Sequence, residues 1–301
     1  MENAKNKDSL FTRIRKKFNE RGLWQDAFHR FFKNKLAVVG LIISLIFIFM
    51  TIFADVIAPY PYDKQDYMAI SQAPSAKHWM GTDSLGRDIF SRVIFGGRVS
   101  ISISLLVQLC ALLIGLPLGS WAGYYGGKVD FIVMRLVDAT MAFPSLLLAI
   151  LIMVKMGPGY YNVLLAMAIV AWPSITRLVR GQFLSLRERE FVLAARSIGA
   201  DEKRIIFKHI LPNALNPIIV AVTLGIPATI FREAGLSFIG IGIVPPTPSW
   251  GQMVGSEYMS IQAYWWQSLC PAITLAFAML GFTLFSNGLQ DALTPKSDKG
   301  G

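Results

Sequence analysis

The side chains that most often carry catalysis or hold metals are sparse in this sequence. The two cysteines, Cys110 and Cys270, each lie inside a long apolar segment, where a thiol is most simply a small packing residue. The three histidines, His29, His78 and His209, are scattered, and none stands at metal-ligand spacing from another. The sequence therefore predicts no metal centre, no disulfide framework and no cofactor on this chain.

Ionisable residues inside apolar segments are the remaining candidates, because a charge within a bilayer is costly and commonly has a function. Arg135 and Asp138 lie three residues apart and could pair on one helix face, although an arginine reaching the membrane surface beside a helix-stabilising aspartate fits as well. Arg232 and Glu233 follow an apolar run that Pro227 interrupts. There a gate, a contact with a partner protein and a local surface ion pair all stay open.

The composition places these residues in a membrane protein. Hydrophobic residues make up 53% of the 301 residues and charged residues only 16%, whereas soluble domains carry roughly a quarter charged residues. The apolar residues form blocks of about 18 to 24, the length of a helix that crosses a bilayer. An all-α integral membrane protein is predicted, with about six spans near Leu36–Ala58, Val99–Ala122, Phe131–Val154, Tyr160–Leu178, Ala214–Phe231 and Trp266–Phe285.

The distribution of basic residues predicts the orientation of these spans. Most of the 29 lysines and arginines lie in residues 1–35, in residues 179–212 and near the two remaining turns on the same side. Because basic residues stay preferentially in the cytoplasm, both termini and residues 179–212 are predicted to be cytoplasmic. The net charge of +10 thus lies in tails and loops, and a basic face for nucleic acid is not expected.

The cytoplasmic segment from Glu190 to Pro212 has the pattern of two short helices joined by a tight turn. An apolar stripe along the first helix is predicted from the i, i+3, i+4, i+7 spacing of Phe191, Ala194, Ala195 and Ile198. Gly199 is placed to end that helix in a left-handed conformation. Asp201 is placed to cap the second helix, and Pro212 to stop it.

An apolar stripe in a cytoplasmic loop normally needs a partner surface, and small alanines would let that surface approach closely. An amphipathic helix lying on the membrane, with its arginines toward lipid phosphates, explains the same pattern. The spacing of the residues does not distinguish these two interpretations.

The segment resembles the EAA loop of ABC-importer membrane subunits. The matching positions, in register, are Ala194, Ala195, Gly199, Leu211 and Pro212. Leu193 stands where that loop has an acidic residue, with Glu190 three residues earlier, and His209 stands in place of an isoleucine.

Further segments resemble peptide-importer permeases, in the same order along the chain. They are residues 78–92, 134–144, 233–242 and 245–251, and with the loop they extend over roughly 36–295. The chain is identified as resembling the C-type membrane subunit of the dipeptide/oligopeptide/nickel permease family.

That resemblance implies a type I ABC importer in the cytoplasmic membrane of a prokaryote. A second homologous permease subunit, two ATPase subunits carrying ATP and Mg, and an extracytoplasmic substrate-binding protein are the implied partners. Peptides are the implied substrate, with nickel chelates or other small solutes as the alternative. The implied ATPase-coupling residues are Glu190, Phe191, Ala194, Ala195, Ile198, Gly199, Asp201, Leu211 and Pro212, and the possible gate or pathway residues are Arg135, Asp138, Pro227, Arg232 and Glu233.

The chain itself is not expected to be an enzyme. A phosphate-binding loop requires G-x4-G-K-[ST], and Gly127-Lys128 is followed by Val129. A secondary transporter working without ATPases is the runner-up, but it would be favoured by an inverted repeat, and none is visible.

The domain organisation follows from these assignments. A cytoplasmic basic segment (1–35) precedes the permease domain (36–292), and a short cytoplasmic tail (293–301) follows it. Two external segments, 59–98 and 235–265, are predicted within the permease domain. The first is unusually long for a connection, and both are predicted to dock the binding protein.

Overall fold

The computed structural model describes residues 23–294, and these residues form helices and connecting segments without a β-strand. In chain order the helices are α1 (Leu23–Lys33), α2 (Lys35–Ile52), α3 (Ala54–Ile57), α4 (Ile89–Tyr125), α5 (Gly127–Met141), α6 (Ser145–Met156), α7 (Tyr160–Arg187), α8 (Glu190–Ser197), α9 (Glu202–Arg204), α10 (Leu211–Phe238), α11 (Trp250–Glu257) and α12 (Trp265–Leu293). A π-helical turn, Ile205–Ile210, joins α9 to α10.

The membrane spans agree with the sequence in number. Among the described residues, α2, α4, α7, α12 and the continuous Glu202–Phe238 helix are each long and apolar enough to cross a bilayer. The bent pair formed by α5 and α6 brings the possible number of spans to six. The all-α membrane fold predicted from the composition is therefore confirmed.

The third predicted span is wrong as a single straight helix. In the structure α5 and α6 meet at an angle of 82°, with Pro144 at the N-cap of α6. Proline has no N–H to donate, and it disfavours helical geometry at the residue before it, here Phe143. Because apolar residues lie on both sides of this break, the sequence alone predicts one continuous span.

Other helices extend past the predicted ends of their spans, α4 and α7 among them. α4 begins at Ile89 rather than Val99, because the Asp88 carboxylate accepts a hydrogen bond from the Ser91 N–H at 2.7 Å and caps the helix there. The last part of the predicted 59–98 external segment is therefore helical. α7 continues beyond Leu178 to Arg187, where its residues are polar but still helical.

Small residues set the packing of the longest helix, α4, against α7. Gly115, Gly119 and Gly123 of α4 recur every fourth residue along this contact. A Cβ atom on Gly119 would lie 2.6 Å from the carbonyl oxygen of Thr176, so no larger residue fits without moving the backbone. Close approach through small residues is a common way for membrane helices to associate.

Candidate functional site

The first helix of the 190–212 loop, α8, buries a different face from the predicted one. Val192 is fully buried and Ala195 is 5% exposed, whereas Ile198 is 84% exposed. Phe191 and Ala194 are exposed with Ile198. Ala195 therefore belongs to the inner face with Val192, which the sequence interpretation missed, although i, i+3 spacing relates these two residues.

The inner face of α8 packs against the end of α4 and the last turns of α7. Val192 and Ala195 share one hydrophobic cluster with Tyr124 of α4, Phe183 of α7 and Ile205 of the π-helical turn. The loop is thus fixed to three elements of the membrane domain at once. Because its inner face is fully packed, the helix presents its opposite, apolar face outward.

The turn after α8 depends on a glycine. Gly199 has φ of 78°, the left-handed conformation predicted from the sequence. The turn is closed by hydrogen bonds from the Gly199 N–H to the Arg196 carbonyl (2.9 Å) and from the Ala200 N–H to the Ala195 carbonyl (3.0 Å). A Cβ atom on Gly199 would meet nothing within 4 Å, so the backbone conformation alone sets the requirement for glycine.

The second helix of the loop differs from the prediction. Asp201 occupies the N-cap position of α9, but its side chain makes no capping hydrogen bond. Pro212 does not stop the helix, because it stands in the first turn of α10, where a proline need not donate a hydrogen bond. The Leu211 N–H instead bonds to the Ile206 carbonyl across the π-helical turn. The loop is therefore continuous with a membrane span.

The end of α4 makes polar contacts with the same loop. The Arg196 guanidinium lies over the Tyr124 ring, 5.7 Å from its centroid. The Tyr125 hydroxyl donates to a Glu202 carboxylate oxygen at 3.1 Å. Arg187 donates to the Tyr124 carbonyl at 3.3 Å. The last turn of α4 therefore contacts the loop on both sides of Gly199.

Of the two interpretations of Arg135 and Asp138, the structure does not show their pairing with each other. Asp138 accepts a hydrogen bond from Arg177 of α7 at 2.8 Å, while the Arg135 guanidinium lies over the Phe131 ring at 5.0 Å. The contact of α5 with α7 brings Arg177 to Asp138, and spacing within one helix cannot reveal such a partner.

Glu233 is buried, and the surface ion pair with Arg232 is absent from the described residues. The Glu233 carboxylate accepts hydrogen bonds from the Ser100 and Ser237 hydroxyls, each at 2.7 Å. Arg232 is partly exposed beside it. Glu233 thus connects α10 to α4 within the protein interior.

Pro227 lies buried in α10 close to a second polar contact between the same helices. The Gln108 amide of α4 donates to the Gly225 carbonyl at 3.1 Å and to the Thr229 hydroxyl at 2.8 Å. Gly225 has no side chain, and a Cβ atom there would overlap the Gln108 amide. Two polar contacts, at Glu233 and Gln108, therefore tie α10 to α4.

Two family models match the chain. Residues 115–299 match the inner membrane component of binding-protein-dependent transport systems. Residues 22–74 match the N-terminal transmembrane domain of oligopeptide transport permease C. This chain belongs to the family of binding-protein-dependent transport permeases.

Similar proteins cover nearly the whole permease. An oligopeptide transport system permease protein of Bacillus subtilis is 44% identical over 92% of this chain and 91% of its own. A dipeptide transport system permease protein of Alkalihalophilus pseudofirmus is 45% identical over 91% and 90%. A glutathione transport system permease protein of Pectobacterium atrosepticum is 39% identical over 91% of each chain.

The fold is also found in a solved transporter. A chain of the MetNI methionine ABC transporter in an inward-facing conformation superimposes with a TM-score of 0.57 at 18% identity, over 69% of this permease and 98% of that chain. The predicted type I importer permease fold is thereby confirmed.

The motif at residues 78–92 of the permease turns its charges inward, which sequence reasoning did not anticipate. His78 Nδ1 lies 2.8 Å from an Asp88 carboxylate oxygen, and Asp83 pairs with Arg87 at 2.7 Å and with Arg92 at 3.5 Å. All five side chains are buried. The i, i+4 spacing of Asp83 and Arg87 is the feature of the sequence that could have indicated an ion pair.

This buried network joins the external segment to α11. The Ser84 hydroxyl donates to a Glu257 carboxylate oxygen at 2.7 Å. Burial raises the pKa of Glu257 above its ordinary value, and the nearby Asp83 carboxylate adds to that effect. Exposed apolar side chains of the predicted external segment include Tyr67, Met68 and Trp79.

Proposed function

We propose that this permease forms half of the membrane pathway of an ATP-driven importer of di- or oligopeptides. The oligopeptide and dipeptide names of its relatives support the substrate class. A second, homologous permease subunit forms the other half. The chain does no chemistry, and ATP with Mg binds to two separate ATPase subunits.

One observation carries the coupling part of this proposal. The inner face of α8, at Val192 and Ala195, is packed against the membrane domain, while Phe191, Ala194 and Ile198 face outward. A rigidly backed apolar surface can transmit force from a bound protein, since its own core resists deformation. We place the ATPase on this outward face.

The orientation follows from the positive charges and is part of the proposal. The loop and both termini lie in the cytoplasm of a prokaryote, in its cytoplasmic membrane. The external segment and α11 lie on the opposite side. There Tyr67, Met68 and Trp79 offer exposed apolar surface to a substrate-binding protein.

Co-purification tests the assembly. The tagged chain is isolated from its native membranes in mild detergent, and its companions are identified by mass spectrometry. We expect ATPases with phosphate-binding loops and a second permease of about six helices. If the chain is folded but is captured without companions even after crosslinking, a secondary transporter would be favoured. In that case α8 would face lipid.

A charged substitution on α8 makes this test specific. Ile198→Glu is expected to remove the ATPases from the captured complex and leave the second permease bound. Lys128→Glu, an exposed change at the start of α5, is the matched control and should leave both partners bound. ATP-dependent uptake of labelled di- and tetrapeptides by the same strains then tests the substrate class.

A further inference from the structure

One face of α7 is covered along only half of its length. Its residues follow one another at alternating intervals of four and three positions, at 163, 167, 170, 174, 177 and 181. Near the start of the helix, Val163 and Met167 are buried in a cluster with residues of α6. Toward the other end, Ser174, Arg177 and Gly181 are exposed. The face is therefore open where α6 no longer covers it.

The open part of this face lacks the large apolar side chains that suit lipid tails. Within α7, which the structure describes from end to end, the exposed large hydrophobic residues are Tyr161, Leu165 and Ile169, all in its first half. Other spans expose such residues farther along their length, for example Leu113 of α4 and Phe277 of α12. The open face of α7 thus differs from the surfaces that contact lipid.

An ion pair borders the open face. Arg177 donates a hydrogen bond to Asp138 of α5 at 2.8 Å, and the two side chains remain 48% and 55% exposed. Closer to the end of α7, Arg180 donates to Asp130 at 2.6 Å and joins the same two helices. A guanidinium has five N–H donors and a carboxylate has about four acceptor positions. One hydrogen bond between Arg177 and Asp138 therefore leaves both groups able to bind another molecule.

The pair lies at a depth where a bilayer consists of hydrocarbon. Tyr161, 78% exposed at the start of α7, has the position of a tyrosine at the membrane surface. From Tyr161 to Arg177 the helix rises about 24 Å, which is less than the roughly 30 Å of hydrocarbon in a bilayer. Charged side chains at such depth generally face a water-filled cavity or the protein interior. Half-exposed charges that border a polar, uncovered face fit the cavity.

We propose that the open face of α7 lines the water-filled pathway of the importer, and that Arg177 and Asp138 hold the charged ends of a passing peptide. Arg177 binds the terminal carboxylate, and Asp138 binds the terminal ammonium group. This inference rests on the proposed import function, because it assigns residues to that pathway. An arginine that reaches for lipid phosphates explains the pair less well, since the Asp138 carboxylate would repel a phosphate.

Labelling of single cysteines tests whether the face is wet. Cys110 and Cys270 are replaced with alanine, and Ser174→Cys or Leu113→Cys is introduced. Open membrane fragments are treated, with and without ATP, with sulfonatoethyl methanethiosulfonate, an anionic thiol reagent that does not enter lipid. Position 174 should be modified and the control position 113 should not. Modification of both positions, or no modification of position 174 in either state, would overturn the assignment.

The charge of the reagent tests the role of Arg177. At position 174, the rate with the anionic reagent is divided by the rate with its cationic trimethylammonioethyl analogue. Arg177→Gln should lower this ratio about fivefold, because a unit charge one helical turn away acts on the two reagents in opposite directions. Lys128→Gln, an exposed change at the start of α5, is the control and should leave the ratio unchanged. An unchanged ratio in Arg177→Gln would contradict the proposal, whereas loss of a merely structural ion pair would not move it.

Uptake by proteoliposomes of the assembled importer tests the recognition of the carboxylate. At a saturating concentration of a labelled dipeptide, Arg177→Gln should lower the uptake rate about tenfold, the effect of losing one charge-assisted hydrogen bond. For the C-terminal amide of the same dipeptide, the parent and the variant should have equal rates. An equal loss for dipeptide and amide would overturn the recognition of the carboxylate. Absence of dipeptide uptake by the parent would instead reject the proposed substrate class, and the labelling results do not depend on it.

Discussion

At the scale of single residues, polar side chains of this permease, one of them the fully buried Glu233, join helices that are distant in sequence. Glu233 contacts Ser100 of another helix, and Asp138 contacts Arg177. A buried carboxylate without such donors would cost several kcal/mol. Sequence reasoning found the costly charges, but among protein side chains it could name candidate partners only within the same helix. The observed partners depend on tertiary contacts.

Gly199 permits a clear test of the loop turn. Gly199→Val forces a β-branched side chain into the left-handed conformation, at a cost of about 1–2 kcal/mol, although its Cβ would meet no neighbour. We expect strongly reduced peptide uptake with ATP hydrolysis retained, measured in the same proteoliposomes.

Asn at the same position is the matched control, since asparagine tolerates the left-handed conformation. Gly199→Asn should keep most of the uptake. Full uptake by the Val variant would show that the turn geometry is unimportant for coupling.

The pKa of Glu257 predicts a pH dependence of stability. Because burial raises this pKa, the folded protein keeps the proton on Glu257 at pH values where the unfolded chain has lost it. The resulting stabilisation is complete below the unfolded pKa and is lost as the pH rises through the folded one. The Tm of Glu257→Gln should therefore increase relative to that of the parent as the pH rises from 4 to 8.

Thermal unfolding of both proteins in detergent, in the same series of buffers, measures this difference. A difference in Tm that stays constant across the series would contradict the burial argument. A decreasing difference would contradict the direction of the pKa shift.

At the scale of elements, proline positions explain which helices the sequence predicts well. Pro144 breaks the third span because its preceding residue must leave the helix, whereas Pro212 falls in a first turn and is accommodated. Hydropathy reports only the length of an apolar block, so it cannot distinguish these two cases. The number of spans was predictable because it depends only on how many long apolar blocks the sequence contains.

The contact of α4 with α7 predicts two opposite effects of glycine substitution. Gly119→Leu should prevent the close approach of the helices, because even a Cβ atom would lie 2.6 Å from the Thr176 carbonyl oxygen. We expect the variant to lose its folded state. Size-exclusion chromatography in detergent and thermal unfolding measure this loss.

Gly181→Ala on α7 is the matched control. A Cβ atom there meets nothing within 4 Å, and alanine favours a helix over glycine by about 0.5–1 kcal/mol. The variant should be as stable as the parent or more so. Equal stability of Gly119→Leu and the parent would rule out close packing at this contact.

At the scale of the whole molecule, α4 extends from the buried network of residues 78–92 to the 190–212 loop. Its first turns carry the buried Arg92, and its last turn contacts both sides of Gly199 through Tyr124 and Tyr125. The motifs that resemble the family were sufficient to predict the class of transporter. They did not predict that the charged side chains of residues 78–92 face inward, because burial by distant segments leaves no periodic pattern in the chain.

The central claim is that the outward face of α8 binds an ATPase. Site-specific photocrosslinking with p-benzoylphenylalanine in place of Ile198, in membranes that retain peptide uptake, tests it most directly. Val154 of α6, which is 71% exposed against 84% for Ile198, serves as the control position. The account predicts a crosslinked ATPase with a phosphate-binding loop at position 198 and none at 154. Crosslinks from position 198 to lipid alone would contradict it and identify α8 as a membrane-surface helix.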